Sequence, residues 1–73
     1  MKFVLKNGRS FRFEDLDRNH AFRMVQGDGY DVWAQTMEHA YHLGHFKDKI
    51  DAEKLIVSIV KAAGYGMKEY RVS

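Results

Sequence analysis

The segment KFVLKNGRSFRF, residues 2 to 13, constrains the fold more than any other part of the chain. Two runs of β-prone residues flank an Asn-Gly pair, which is the strongest short-range signal for a β-hairpin. A two-residue turn on that pair would mix apolar and charged side chains on both faces. A three-residue loop, Lys6 to Gly8, instead pairs Phe3 with Phe11 and separates the two kinds of side chain. Because a one-residue shift would exchange the faces, the apolar pattern predicts the three-residue loop.

In this register one face of the hairpin is apolar and is predicted to be buried; it carries Met1, Phe3, Leu5, Phe11 and Phe13. The opposite face is predicted to be exposed and carries Lys2, Val4, Ser10 and Arg12. Gly8 is expected to adopt the left-handed backbone conformation that such a loop needs.

The middle of the chain gives weaker signals. Residues 14 to 20, EDLDRNH, predict a polar turn, and residues 21 to 26, AFRMVQ, predict a third strand. Residues 30 to 43, YDVWAQTMEHAYHL, predict an α-helix that Gly44 caps, because their apolar side chains recur at about 100° per residue. The competing interpretation is a second β-hairpin, with FRMVQ and YDVWA as strands joined across residues 27 to 29, GDG.

Residues 52 to 63, AEKLIVSIVKAA, predict a second helix, capped by Asp51 and ended by Gly64. Its apolar side chains cover well over half of the circumference, and the polar strip that remains consists of Lys54, Ser58 and Lys61. One sheet covers about half of a helix, so the excess predicts contact with another chain. The candidate protein-interface residues are Ile56, Val57 and Val60.

Residues 67 to 72, MKEYRV, predict a last strand. Together these segments predict an α+β fold: an N-terminal β-hairpin with room for a third strand, two α-helices and a C-terminal strand. The strands are expected to form one antiparallel sheet with the helices packed on one face.

The composition limits what else the chain can be. It has 73 residues, 45% hydrophobic and 30% charged, which is typical of a single globular domain, residues 1–73. It has no cysteine, so disulfide bonds and thiolate metal sites are excluded. The longest apolar stretch, LIVSIV, is far shorter than the roughly 18–20 residues that span a bilayer, and no secretory signal is visible. We therefore expect a cytoplasmic protein with no membrane partner.

The segment EHAYHLGH, residues 38 to 45, raises the question of a metal site. Zinc-binding helices more often carry two histidines four residues apart, whereas His39, His42 and His45 are three apart and would fan around a helix. We therefore predict a solvated histidine-rich face with no metal ligands. No hydroxyl side chain stands in a nucleophile-elbow pattern, and so small a chain has little room to enclose a substrate. The chain is expected not to be an enzyme, with no catalytic residue and no cofactor.

The two ends of the chain are basic and the middle is acidic. Residues 1–13 carry a net charge of +4, residues 14–53 carry −5 and residues 54–73 carry +3. If both ends lie in one sheet, its exposed face can contact phosphates. The candidate nucleic-acid-binding residues are Lys2, Lys6, Arg9, Arg12 and Arg71.

The sequence thus favours a small regulatory or binding protein that contacts a protein partner or forms a homodimer. The alternative hypothesis is a nucleic-acid-binding accessory protein that uses the basic sheet face. Its size also suggests an accessory protein of a phage or mobile element.

Overall fold

The computed structural model describes residues 1–72, so Ser73 lies outside it. Within that range the chain forms six strands and one α-helix, with a 3-10 turn at Phe13–Asp15. The elements in chain order are β1 (Lys2–Val4), β2 (Ser10–Arg12), β3 (Phe22–Gly27), β4 (Gly29–Gln35), β5 (Ala40–Phe46), α1 (Lys49–Gly64) and β6 (Glu69–Arg71).

The strands form two three-stranded sheets. The first has the order β2-β1-β6, with β2 antiparallel and β6 parallel to β1. The second, β3-β4-β5, is antiparallel throughout. The α+β class is therefore right, but the predicted arrangement of two helices on one antiparallel sheet is wrong. The last strand, β6, follows α1 in the chain and pairs with β1 in the parallel direction, with Tyr70 opposite Phe3.

The first hairpin has the predicted register. Phe3 lies opposite Phe11, and the N–H of Leu5 donates to the carbonyl oxygen of Arg9 at 2.8 Å, which closes the loop of residues 6–8. Gly8 has a φ of 88°, the left-handed conformation expected for this loop. The predicted apolar face is buried at Phe3, Leu5 and Phe11 and half-buried at its two ends.

The helix predicted over residues 30–43 does not exist, and the competing hairpin interpretation is confirmed. β3 and β4 pair across the GDG turn, and β4 and β5 pair across residues 36–39. Burial alternates along β4, where Val32, Ala34 and then Thr36 are buried, as in a strand with one covered face. Gly44 lies inside β5 and caps no helix.

The side chain of Thr36 fixes the turn between β4 and β5. Its hydroxyl accepts a hydrogen bond from the N–H of His39 at 3.0 Å, and the N–H of Thr36 donates to the carbonyl oxygen of His39 at 2.8 Å. A threonine that bonds to nearby backbone in this way offers the chain an alternative to the helical ladder. This local bonding is one physical reason why a strand–turn–strand unit replaces the predicted helix.

The helix predicted over residues 52–63 is confirmed as α1. It begins earlier than expected, with Asp48 rather than Asp51 in the capping position. The face that it buries consists of Ala52, Ile59 and Ala62. Small alanines on this face let the helix backbone come close to β4 and β5, which it contacts.

A continuous stack of aromatic rings joins the two sheets. The ring centroids of Phe3 and Phe11 lie 4.9 Å apart, and Phe11 stacks on Tyr41 of β5 at 4.5 Å. Tyr70 of β6 extends the row from the other side of Phe3 at 5.4 Å. The stack therefore spans the first sheet and anchors it to the second.

Phe11→Ala is expected to lower the free energy of unfolding by about 3–5 kcal/mol, since it removes the ring that contacts both Phe3 and Tyr41. Val25→Ala is the control, because Val25 is 45% exposed on β3, and we expect it to cost less than about 1 kcal/mol. Urea unfolding followed by circular dichroism measures both. Equal losses would contradict a central role for the stack.

Candidate functional site

The exposed apolar side chains of the molecule concentrate around α1. Five of the seven large apolar side chains that are exposed in residues 1–72 lie between positions 50 and 67. We call them the outer strip: Ile50, Val57, Val60, Tyr65 and Met67. Scattered exposed apolar residues are normal, but a concentration of them in one part of the surface is typical of an interaction surface.

Four residues of the outer strip, all except Val60, border an open groove of about 730 Å³ between α1 and the segment that leads into β6. Ile50 and Val57 lie on the helix side, and Tyr65 and Met67 lie beyond the helix end. The charged side chains that line the groove are Glu53, Lys54 and Lys61. The surface is thus apolar along its centre with both signs of charge beside it.

The three predicted interface residues differ in their exposure to solvent. Val57 and Val60 are exposed, whereas Ile56 is half-buried and packs against the core. The helix pattern could not reveal Tyr65 and Met67, because both lie after the last helical residue. Their position depends on the turn at Gly66, where φ is 71°.

A second group of polar residues lies on the face of the second sheet opposite the core. The ring nitrogen Nε2 of His42 lies 2.8 Å from Oδ1 of Asp31, and Nδ1 of His45 lies 3.0 Å from the same oxygen. An ionised carboxylate can only accept, so both imidazoles donate to Asp31. The hydrogen bond from His42, and then that from His45, lowers the pKa of Asp31 below its ordinary value of 3.8.

A β-bulge places both histidines on one face. Residues three apart in a regular strand point to opposite faces. In β5, however, Gly44 pairs with Val32 and His42 pairs with Trp33, so Leu43 is the extra residue. The bulge thereby turns His42 and His45 to the same side.

Gly29 makes room for this arrangement. It has a φ of 102°, and a Cβ at this position would lie 2.7 Å from Nε2 of His45 and 2.9 Å from the carbonyl oxygen of Phe46. The ring of Trp33 packs edge-on against His42, with centroids 4.9 Å apart. The sequence interpretation missed Asp31 as the partner of the histidines, since it placed them on a helix.

His39 does not join this group. It lies in the turn before β5, and its ring meets Tyr41 edge-on with centroids 6.0 Å apart. Within residues 1–72, no group of three histidine and carboxylate side chains has the geometry of a metal site. The absence of tight metal binding stays a prediction for solution measurement.

The first sheet brings three of the five predicted nucleic-acid-binding residues together. Lys2 of β1 lies opposite Arg12 of β2 on one side and opposite Glu69 of β6 on the other, and Arg71 lies on the same exposed face. Carboxylates lie among these basic side chains, however. Nε of Arg71 is 2.7 Å from Oε2 of Glu69, and Nε of Arg12 is 3.6 Å from Oε2 of Glu14. The net positive charge of the face is therefore small.

The other two predicted nucleic-acid-binding residues, Arg9 and Lys6, lie outside this face. Arg9 falls on the apolar face of the hairpin, and its guanidinium carbon is 5.3 Å from the ring centroid of Tyr41. That contact stabilises the end of the aromatic stack rather than a phosphate site. Lys6 lies exposed in the hairpin loop.

Comparison of the chain with protein-family models, curated proteins and solved structures gives no match. In residues 1–72, α1 is too short and too polar to cross a membrane.

Asp31→Asn is expected to destabilise the fold near neutral pH and to lose this effect in acid. A carboxyl group with a lowered folded pKa stabilises the fold above its unfolded pKa, and this contribution disappears as the pH falls through the folded value. The urea midpoints of wild type and variant should therefore differ at pH 7, and the difference should shrink as the pH falls below the ordinary aspartate pKa of 3.8. A difference that is constant over this range would show that the charge of Asp31 contributes nothing.

Proposed function

We propose that this chain is a small, non-enzymatic cytoplasmic binding protein that acts through protein contacts, and that its outer strip binds a second copy of the same chain. The observation that carries the proposal is the exposure of Ile50, Val57 and Tyr65 at 65%, 50% and 81% on one side of α1. Burying a large apolar side chain contributes roughly 1.5–3 kcal/mol. A core this small has little stability to spare, so covering these residues is a substantial gain.

The charges beside the strip favour a second copy over an unrelated partner. Glu53 and Lys61 each lie four residues from Val57, on opposite sides of it in the sequence. In an antiparallel pair of α1 helices with a two-fold axis at Val57, Glu53 of each copy faces Lys61 of the other. The same axis places Ile50 against Gly64, where the missing side chain leaves space.

The pairs within one chain do not satisfy these charges. The ion pair of Glu53 within residues 1–72 is a 3.9 Å contact with Lys49, and both side chains are exposed. Such exposed pairs contribute little on their own, about 0.3–0.5 kcal/mol for residues four apart on a helix. Glu53 is therefore free to pair across an interface, and two copies of the contact give the dimer its orientation.

Val57→Asp should convert the dimer to monomer, with a dissociation constant raised about a hundredfold or more, because two carboxylates would meet on the symmetry axis without a partner. Light scattering over a concentration series measures the mass. Val25→Asp is the matched control, since Val25 is 45% exposed on β3, and it should leave the mass unchanged.

A charge exchange tests the orientation. Glu53→Lys and Lys61→Glu should each weaken association, and the double variant should restore it. A wild type that is monomeric at millimolar concentration, or a double variant as weak as the single ones, would contradict the two-fold arrangement.

The second candidate function is nucleic-acid binding by the exposed face of the first sheet. The observation that favours it is the common face of Lys2, Arg12 and Arg71, and the observation against it is the pairing of the two arginines with carboxylates.

If this function exists, charge reversal at Arg12 and Arg71 should weaken binding to a duplex oligonucleotide and reduce its salt dependence by about two charges. Fluorescence anisotropy at several salt concentrations measures both. Unchanged binding after the reversals would eliminate this face as the site.

A further inference from the structure

A cleft of about 970 Å³ lies between the two sheets and adjoins the groove beside the outer strip, with which it shares Lys54, Ser58 and Tyr70. Five consecutive residues of β5, 42–46, form one wall. Successive residues of a strand point to opposite faces, so a cavity that contacts five in a row runs along the edge of the strand. Residues 5–7 of the first hairpin and residues 70–72 form the other wall, and α1 closes the base.

The edge of β5 that faces this cleft is unpaired. β5 is hydrogen-bonded to β4 on one side only, because it is the last strand of its sheet. On its other side, the backbone groups of residues 40–46 have no hydrogen-bond partner within residues 1–72. Unpaired backbone along a strand is a template on which a further strand can add.

The charges around the cleft determine which kind of strand can pair with the edge of β5. Lys6, Lys54 and Arg71 line it, and the one carboxylate among its lining residues is Asp51. Arg71 is already paired with Glu69 at 2.7 Å, so Lys6 and Lys54 are the lysines that an acidic side chain would meet first. The bottom is apolar, formed in part by the buried side chains of Leu5 and Val72. A strand that carries acidic side chains towards the rim and apolar ones towards the bottom would satisfy both.

We infer that the cleft binds an extended acidic peptide of a partner protein, which adds as a strand to the free edge of β5. The length of edge available, five residues, corresponds to about 17 Å of strand. The bulge at Leu43 interrupts regular pairing, so the backbone ladder is short and the basic side chains supply much of the affinity. A second copy of β5 is a poorer occupant, since AYHLGHF has no acidic side chain to meet the basic residues of the cleft.

The probe is a labelled seven-residue peptide that alternates glutamate and valine, measured by fluorescence anisotropy. Binding should protect the amides of residues 42–46 from hydrogen exchange. An otherwise identical peptide, N-methylated at three successive central residues, lacks the N–H groups of both edges and should bind at least about tenfold more weakly. A peptide with lysine in place of glutamate should not bind.

Variants locate the site. Lys6→Glu should weaken binding of the acidic peptide about tenfold or more, whereas Lys68→Glu, an equal charge change outside the cleft, should have a much smaller effect. Val25→Asp should leave peptide binding intact, because Val25 lies on β3 and does not line the cleft. The inference is overturned if the N-methylated peptide binds equally well, if protection appears away from β5, or if Lys6→Glu and Lys68→Glu weaken binding equally.

Discussion

The stacking of Phe11 between Phe3 and Tyr41 is the contact on which the rest of the structure depends. Each sheet alone has only three strands, and the first consists of strands three residues long. A sheet so short gains little from its backbone ladder and needs side-chain packing to persist. The aromatic rings provide that packing and bring β5 beside the first hairpin. The cleft along the edge of β5 exists because these rings hold the two sheets together at one end.

The parts of the fold that could be predicted are those where one pattern excludes the others. In the first hairpin, apolar and charged residues alternate, so only one register separates them. The residues predicted as the first helix lack this property. Trp33, Met37 and Tyr41 are four apart, and a spacing of four returns to the same face in a helix and also in a strand. The bonding of Thr36 to His39, which closes the turn, favours the strand and leaves only a weak trace in the sequence.

The candidate surfaces, too, could be predicted from the sequence only in part. Exposure of Val57 follows from the crowded apolar circumference of the helix, but the burial of Ile56 depends on where the sheets lie, which the helix pattern does not contain. The pairing of Asp31 with two histidines needs a bulge, because their spacing of three would place them on opposite faces of a regular strand. Glycine inside a strand is a hint of a bulge, and Gly44 was that hint.

The parallel pairing of β1 with β6 has a consequence for how the chain folds. Phe3 and Tyr70 are neighbours in the first sheet although 67 positions separate them in the chain. The meander of β3, β4 and β5 uses mainly local contacts and can form while synthesis continues, whereas the first sheet has to wait for β6. Closing so long a loop carries an entropic cost before any contact compensates it. A nascent chain therefore keeps Phe3 without Tyr70 until β6 has left the ribosome, and during that interval the first hairpin is open to misassociation.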